Sequence, residues 1–186
     1  MVLTDQMRME FRRTHDPTQE KSAEEKLVDV VAGDLSFFPD LVKPLIDGEI
    51  SFEKIEDIRV RMCPDASQTS SAINISKIWP SPCVWLEAKP QAKKSEPKGS
   101  VPDLRAVKIT ENRVAREKGL RMIANFRVPP NSIIFRSFYR GFAGGEAIEN
   151  LAWWEASGGT RLQDRTIRVQ VKNMGDSVQA LVTPAA

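Results

Sequence analysis

The sequence has few of the side chains that bind metal ions. It contains two cysteines, Cys63 and Cys83, and one histidine, His15, which cannot together form any of the common zinc sites. We expect both cysteines to be buried free thiols, because cysteine is among the residues most often found in protein interiors. A disulfide between them is the alternative. These residues predict no cofactor.

The sequence has no long apolar runs, and we expect no secretory leader. Its apolar runs, such as residues 83–86, do not exceed four residues, whereas a helix that crosses a bilayer needs about 20. Residues 1–5 do not open a charged and then apolar leader. The glycine-rich residues 141–145 lack the Lys-Ser/Thr ending of a phosphate-binding loop. We therefore expect a cytoplasmic protein that does not span a membrane.

Length and composition are those of an ordinary globular domain. The chain has 186 residues, of which 28% are charged and 41% hydrophobic, and a chain of this size buries roughly 70% of its unfolded surface. We expect a flexible N-terminal arm at residues 1–21 and a single domain at residues 22–186. Residues 89–102, rich in Lys and Pro, predict an exposed loop.

The apolar pattern changes from helical to strand-like along the chain. Residues 22–33 predict a helix with a capping box, and residues 34–57 predict short helices interrupted by prolines. Residues 146–156 predict one further helix. Alternating or continuous apolar residues predict strands at residues 58–62, 73–79, 83–86, 104–110, 120–128, 133–139, 166–172 and 177–183. The last four strands are predicted to form two hairpins, the first of residues 120–128 and 133–139 and the second of residues 166–172 and 177–183. The sequence therefore predicts an α+β fold, with a helical N-terminal third followed by a largely antiparallel β-sheet and one C-terminal helix. Because residues 83–86 are apolar on both faces, we expect them to form a central strand.

Charge is distributed unevenly between the two halves. Residues 1–88 contain 10 Lys and Arg against 16 Asp and Glu, a net charge of −6, and residues 89–186 contain 17 against 9, a net of +8. A basic field of this kind attracts nucleic acid, anionic lipid headgroups or an acidic partner. The alternative is that the basic half meets the acidic half, within one molecule or head to tail between copies.

Arginines alternate with aromatic residues in the second half of the chain. Single-stranded nucleic acid is bound by aromatic rings that stack on its bases and by guanidinium groups that contact its phosphates. The alternative is that half of the aromatic side chains face the core. The residues that we predict to contact nucleic acid are Lys93, Lys94, Lys98, Arg127, Arg136, Phe138, Tyr139 and Arg140.

Trp153 and Trp154 are candidates for a protein interface. Neighbours on a helix point about 100° apart, so that one ring can enter the core while the other lies at its rim. Exposed tryptophan is a frequent anchor of protein interfaces.

A third pattern, Pro64-Asp65 followed by Glu87-Ala88-Lys89, resembles the PD-(D/E)xK motif of nucleases. The resemblance implies that Asp65 and Glu87 hold a Mg²⁺ ion and that Lys89 positions or activates the attacking water. Two converging carboxylates do bind such a hard cation, and the cation lowers the pKa of its water. The alternative is that Asp65 makes a turn and that Glu87 and Lys89 lie at the wet end of a strand.

We expect a non-enzymatic structural protein that binds nucleic acid or another polyanion and forms a homo-oligomer. Its composition is similar to that of small coat and matrix proteins of viruses and mobile elements. Two alternatives stay open: a metal-dependent nuclease, and an adaptor that binds an anionic membrane surface or a protein partner.

Overall fold

A five-stranded antiparallel sheet is the centre of the fold, and helices cover both of its faces. The computed structural model describes residues 31–33, 35–92, 101–157 and 166–185, with the backbone alone for residues 155–157. Residues 36–186 form one compact unit and residues 1–35 another. The predicted arm and residues 93–100 of the predicted loop lie outside the described residues.

From Pro39 onward, three α-helices precede the first strand of the sheet. The helices are α1 (Pro39–Val42), α2 (Phe52–Met62), α3 (Gln68–Ile78), α4 (Arg113–Glu117) and α5 (Ile133–Arg140), with 3-10 helices at Lys43–Leu45 and Leu151–Ser157. The strands are β1 (Val84–Gln91), β2 (Asp103–Glu111), β3 (Gly144–Asn150), β4 (Thr166–Asn173) and β5 (Val178–Pro184). They lie in the order β2-β1-β5-β4-β3, and every neighbouring pair is antiparallel. The predicted mixture of helices with an antiparallel sheet is confirmed.

Strand β1 is buried from both sides. Val84 and Leu86 belong to a core cluster that also contains Ile134 of α5. Trp85 points the other way, into a cluster with Ile58 of α2 and Ile75 of α3. All three β1 residues are fully buried, and each burial of this size contributes about 1.5–3 kcal/mol. The prediction that residues 83–86 contribute a strand covered on both faces is confirmed, although β1 begins at Val84.

The predicted strands at residues 58–62 and 73–79 are wrong, because both segments belong to helices. In α2 the buried positions Ile55 and Ile58 are three residues apart, as in a helix. A strand would also have buried Val60, which is 53% exposed. Helix α3 buries Ala72 and Ile75 with the same spacing. N-cap side chains start both helices: the hydroxyl of Ser51 accepts from the N–H of Lys54, and that of Ser67 from Ser70.

The predicted hairpin of residues 120–128 and 133–139 is also wrong. Residues 133–140 form α5, because Ser132 caps a helix instead of closing a turn: its hydroxyl accepts from the N–H of Ile134. Gly141 ends the helix with a φ of 71°, a conformation that glycine adopts without strain. Residues 125–128 run beside β2, with the N–H of Val128 donating to the carbonyl of Leu104.

The helix predicted at residues 146–156 is replaced by strand β3 and a 3-10 helix. Exposed and buried side chains alternate here as in a strand, since Ile148 is 60% exposed while its neighbour Glu149 is buried. Strands β2, β4 and β5 confirm the strands predicted at residues 104–110, 166–172 and 177–183. Residues 89–91 extend β1 instead of opening the predicted loop. Among the described residues, no helix has both the length and the apolar character that crossing a bilayer requires.

Asn112 joins the start of β1 to the start of α4. Its side-chain oxygen accepts from the N–H of Ala115 at 2.7 Å and of Cys83 at 3.3 Å. Its amide nitrogen donates to the carbonyls of Trp79 at 3.1 Å and Ser81 at 2.7 Å. Asn112 is 2% exposed, so water does not replace these partners readily.

Replacing this side chain should destabilise the fold more than the loss of an ordinary helix cap. We expect Asn112→Ala to lower the free energy of unfolding by about 3 kcal/mol, because it removes the cap and leaves buried backbone groups unpaired. Ser51→Ala, which removes one cap bond, should cost about 1 kcal/mol. Urea unfolding measures both values, and equal losses would contradict the joining role of Asn112.

The two cysteines are free thiols, as predicted, and the disulfide alternative is wrong. Cys83 is fully buried, and its thiol donates to the carbonyl of Ser76 at 3.4 Å. Cys63 is only half-buried, so the prediction that both thiols are buried is wrong for Cys63. Burial raises the pKa of the Cys83 thiol to about 12, which leaves it protonated and unreactive near neutral pH.

A thiol-reactive dye at mildly alkaline pH should therefore label Cys63 in the folded protein and Cys83 only after denaturation. The variant Cys63→Ser should show almost no labelling until it unfolds. Rapid labelling of that folded variant would show that Cys83 is accessible.

Candidate functional site

A pocket beside α5 contains more of the predicted binding residues than any other cavity that the structure describes. We call it the α5 pocket. Its volume is about 460 Å³, and its lining residues are Pro130, Asn131, Phe135, Arg136, Tyr139, Arg140 and Trp153. Three of the eight residues predicted to contact nucleic acid lie here, together with one of the two predicted interface tryptophans.

Helical spacing explains why these side chains converge. Phe135 and Tyr139 are four residues apart on α5, as are Arg136 and Arg140, and residues at that spacing lie on the same side of a helix. Ile133, Ile134 and Ser137 are the buried residues of α5. Phe135 and Phe138 are half-buried and pack against the core, whereas Arg136, Tyr139 and Arg140 are exposed.

The aromatic rings of the pocket are packed against one another but are not covered. Phe135 and Tyr139 have ring centroids 4.5 Å apart with an interplanar angle of 43°. Tyr139 is 54% exposed, and Trp153 on the 3-10 helix is 42% exposed. Phe138 is half-buried and packs edge-on against Tyr139, with centroids 5.1 Å apart. Tyr139 and Trp153 therefore offer ring surface to a planar ligand.

The charge of the pocket is positive. Arg136 and Arg140 are both exposed, and among the described residues that line the pocket none is acidic. Neither arginine forms a salt bridge with any residue in the described part of the chain. Within the described part of the chain, both guanidinium groups are open to solvent.

Behind the pocket lies a buried carboxylate, that of Glu149 on β3. It is 2% exposed and accepts three hydrogen bonds. Oε1 accepts from the N–H of Ile133 at 2.5 Å and from the hydroxyl of Ser132 at 3.1 Å, and Oε2 accepts from the indole Nε1 of Trp154 at 2.9 Å. Burial raises the pKa of Glu149, although these bonds and the charge of Arg136 oppose the shift.

Other predicted binding residues lie elsewhere. Arg127 pairs at 2.5 Å with Asp103, a carboxylate that it shares with Arg105. Trp154 is in the core, 1% exposed, with its ring 5.6 Å from that of Phe126. The structure thus separates the neighbouring tryptophans, one inward and one outward. Lys93, Lys94 and Lys98 lie outside the described residues.

Contact between the acidic and basic halves is seen at Arg168. Its guanidinium contacts Glu49 of the acidic half and, at 2.6 Å, Glu146 of the basic half. Lys108 pairs with Glu87 in the same way, at 3.2 Å. The basic half is therefore neutralised in part by its own chain, while Arg136 and Arg140 have no salt bridge among the described residues.

The residues of the nuclease resemblance lie on different elements. Asp65 is exposed in the turn between α2 and α3, and Lys89 is exposed on β1. Glu87 is half-buried on β1, and its contact with Lys108 is an ion pair without hydrogen-bond geometry. No group of three or more Asp, Glu, His or Cys side chains in the described residues could hold a metal ion. A nuclease remains a prediction from the sequence.

A larger cavity, of about 1010 Å³, is less distinctive. It lies between β2 and residues 119–124, and its lining includes Arg116 and Lys77 together with the acidic Glu111 and Glu117. Opposite charges accompany one another there, so this cavity does not favour a ligand of either sign.

Comparison with known proteins found no family model and no curated protein that matches this chain. Its candidate function therefore depends on the geometry of the site.

Sequence reasoning missed Glu149 and the role of Phe135 in the pocket wall. Glu149 is hidden because the sequence predicts a helix at residues 146–156, in which a glutamate is ordinarily solvated. The alternation of Ala147, Ile148 and Glu149 is the available signal, since it places Glu149 on the same side of a strand as Ala147.

The raised pKa of Glu149 predicts a dependence of stability on pH. The folded protein binds this proton more tightly than the unfolded chain, so the free energy of unfolding should fall as pH rises from the ordinary value of 4.5 through the raised pKa, and then become constant. Glu149→Gln should reduce this fall. Urea titrations across the mildly acidic range test it, and parallel curves for the two proteins would contradict it.

Proposed function

We propose that this protein is a non-enzymatic binding protein for single-stranded nucleic acid, and that the α5 pocket is the binding site. The observation that carries the proposal is the convergence of exposed rings and exposed guanidinium groups on one cavity. Tyr139 and Trp153 provide stacking surfaces, and Arg136 and Arg140 provide positive charge. These are the two components from which proteins without sequence preference bind single strands.

The geometry favours a single strand over a duplex. Bases stack on side chains when they are unpaired and can be turned out of their own stack. Arg136 and Arg140 are one helical turn apart, about 6 Å along the axis, so they can contact different phosphates of one strand. Stacking on an exposed ring contributes about 1–3 kcal/mol per base, which is enough for Tyr139 to affect affinity measurably.

Binding can be measured by the fluorescence anisotropy of a labelled oligodeoxythymidine. The double variant Arg136→Ala/Arg140→Ala should bind about tenfold or more weakly, and its logarithmic salt slope should be shallower by about 1.4, or about 0.7 for each phosphate that is no longer neutralised. Tyr139→Ala should weaken binding by about 1–3 kcal/mol with little change in that slope, because it removes stacking and no charge.

The matched control is Arg61→Ala/Lys77→Ala. These two exposed basic residues lie on α2 and α3, and their removal changes the net charge by the same amount. The control should bind like the unaltered protein. An equal loss of affinity in both double variants would show that net charge, not the pocket, determines affinity. Absence of binding by the unaltered protein at low salt would refute the proposal. Self-association remains a prediction from the charge distribution.

A further inference from the structure

We propose that Glu149 is a positioning residue that joins the two walls of the α5 pocket and makes ligand binding sensitive to acid. The inference depends on the proposed nucleic-acid-binding function and concerns the regulation of that same site.

Each oxygen of the Glu149 carboxylate serves a different wall. Oε1 holds the beginning of α5 through the N–H of Ile133 and the hydroxyl of Ser132. That helix carries both arginines of the pocket. Oε2 holds the indole of Trp154, whose neighbour in sequence, Trp153, lines the pocket from the 3-10 helix. One side chain of β3 thus fixes the separation between the arginines and the exposed tryptophan.

Burying the charged carboxylate of Glu149 costs hydration energy that its hydrogen bonds do not fully offset. Loss of hydration is the largest effect on its pKa and exceeds the three bonds and the charge of Arg136. A buried charge of this kind is weak evidence for a contribution to stability. The ionised group instead fixes the positions of its partners. A carboxylate accepts on both oxygens, and all three groups bound to Glu149 donate to it.

Protonation of Glu149 disturbs this arrangement of two accepting oxygens and three donors. A neutral carboxyl group carries one O–H donor. Oε1 accepts two hydrogen bonds and Oε2 accepts one, so we expect the proton on Oε2. There it faces the indole N–H of Trp154, which cannot accept a hydrogen bond, and the bond to the tryptophan breaks. The charged group that faces Glu149 is Arg136 of α5, and it keeps its charge at every relevant pH. Acidification should therefore loosen the pocket and weaken binding. The general effect of acid has the opposite sign, because protonating exposed carboxylates makes the protein more attractive to a polyanion.

The test compares Glu149→Gln with Glu53→Gln, a variant with the same charge change at an exposed position of α2. An amide has one accepting oxygen and one donating nitrogen, so in either orientation it loses the bond to the indole of Trp154 or the bond to the N–H of Ile133. We expect Glu149→Gln to bind oligodeoxythymidine roughly tenfold more weakly, with an unchanged salt slope because both arginines remain. Glu53→Gln should bind as well as the unaltered protein or slightly better. Circular dichroism confirms that each variant is folded.

Two further measurements separate positioning from loss of structure. The affinity of the unaltered protein should fall on mild acidification, whereas that of folded Glu149→Gln should not. In the free protein, the NMR signal of the Trp154 indole N–H should shift with the titration of Glu149. If Glu149→Gln does not fold, these two titrations of the unaltered protein carry the test.

The outcomes are distinct. Wild-type affinity in folded Glu149→Gln, an affinity that does not fall with acid, or an indole signal that does not titrate would each overturn the inference and leave the binding function intact. Failure of the unaltered protein to bind at any pH would overturn the function itself. In that case a titrating indole signal would still establish that Glu149 holds Trp154.

Discussion

The burial of β1 from both sides is the constraint on which the rest of the structure depends. Trp85 requires a cover on one face of the sheet, and α2 with α3 supplies it. Val84 and Leu86 require a cover on the other face, and α5 contributes to it through Ile134. Because α5 must turn its apolar residues inward to do this, its remaining residues are left at the surface. The composition of the α5 pocket is therefore linked to the packing of the central strand.

Much of the sheet could be predicted from the sequence, because strands β2, β4 and β5 alternate clearly and lie between good turn residues. Helices α2 and α3 could not be identified from alternation, since Ile58, Val60 and Met62 fit a strand as well as they fit part of a helix. The N-cap bonds of Ser51 and Ser67 favour the helices. How much each cap stabilises its helix depends on how that helix packs against the sheet. Local pattern is weak evidence where tertiary packing selects between two periods.

The candidate site could be predicted by residue type but not by secondary structure. The sequence pattern places Arg136, Tyr139 and Arg140 on a strand, where alternate side chains point to opposite faces, and they meet because they lie on a helix instead. The pairing of Arg127 with Asp103 could not be foreseen, since it joins residues 24 positions apart. Glu149 is the same kind of case: its partners come from α5 and the 3-10 helix, and only the folded chain brings them together.

The separation of the two neighbouring tryptophans has an optical consequence. The chain has four tryptophans, of which Trp79, Trp85 and Trp154 are buried and Trp153 is exposed. A soluble quencher such as iodide reaches one indole in four, and that indole lines the α5 pocket. Emission at the red edge of the spectrum therefore comes mainly from a single ring, so that the protein carries an intrinsic reporter for whatever occupies the pocket.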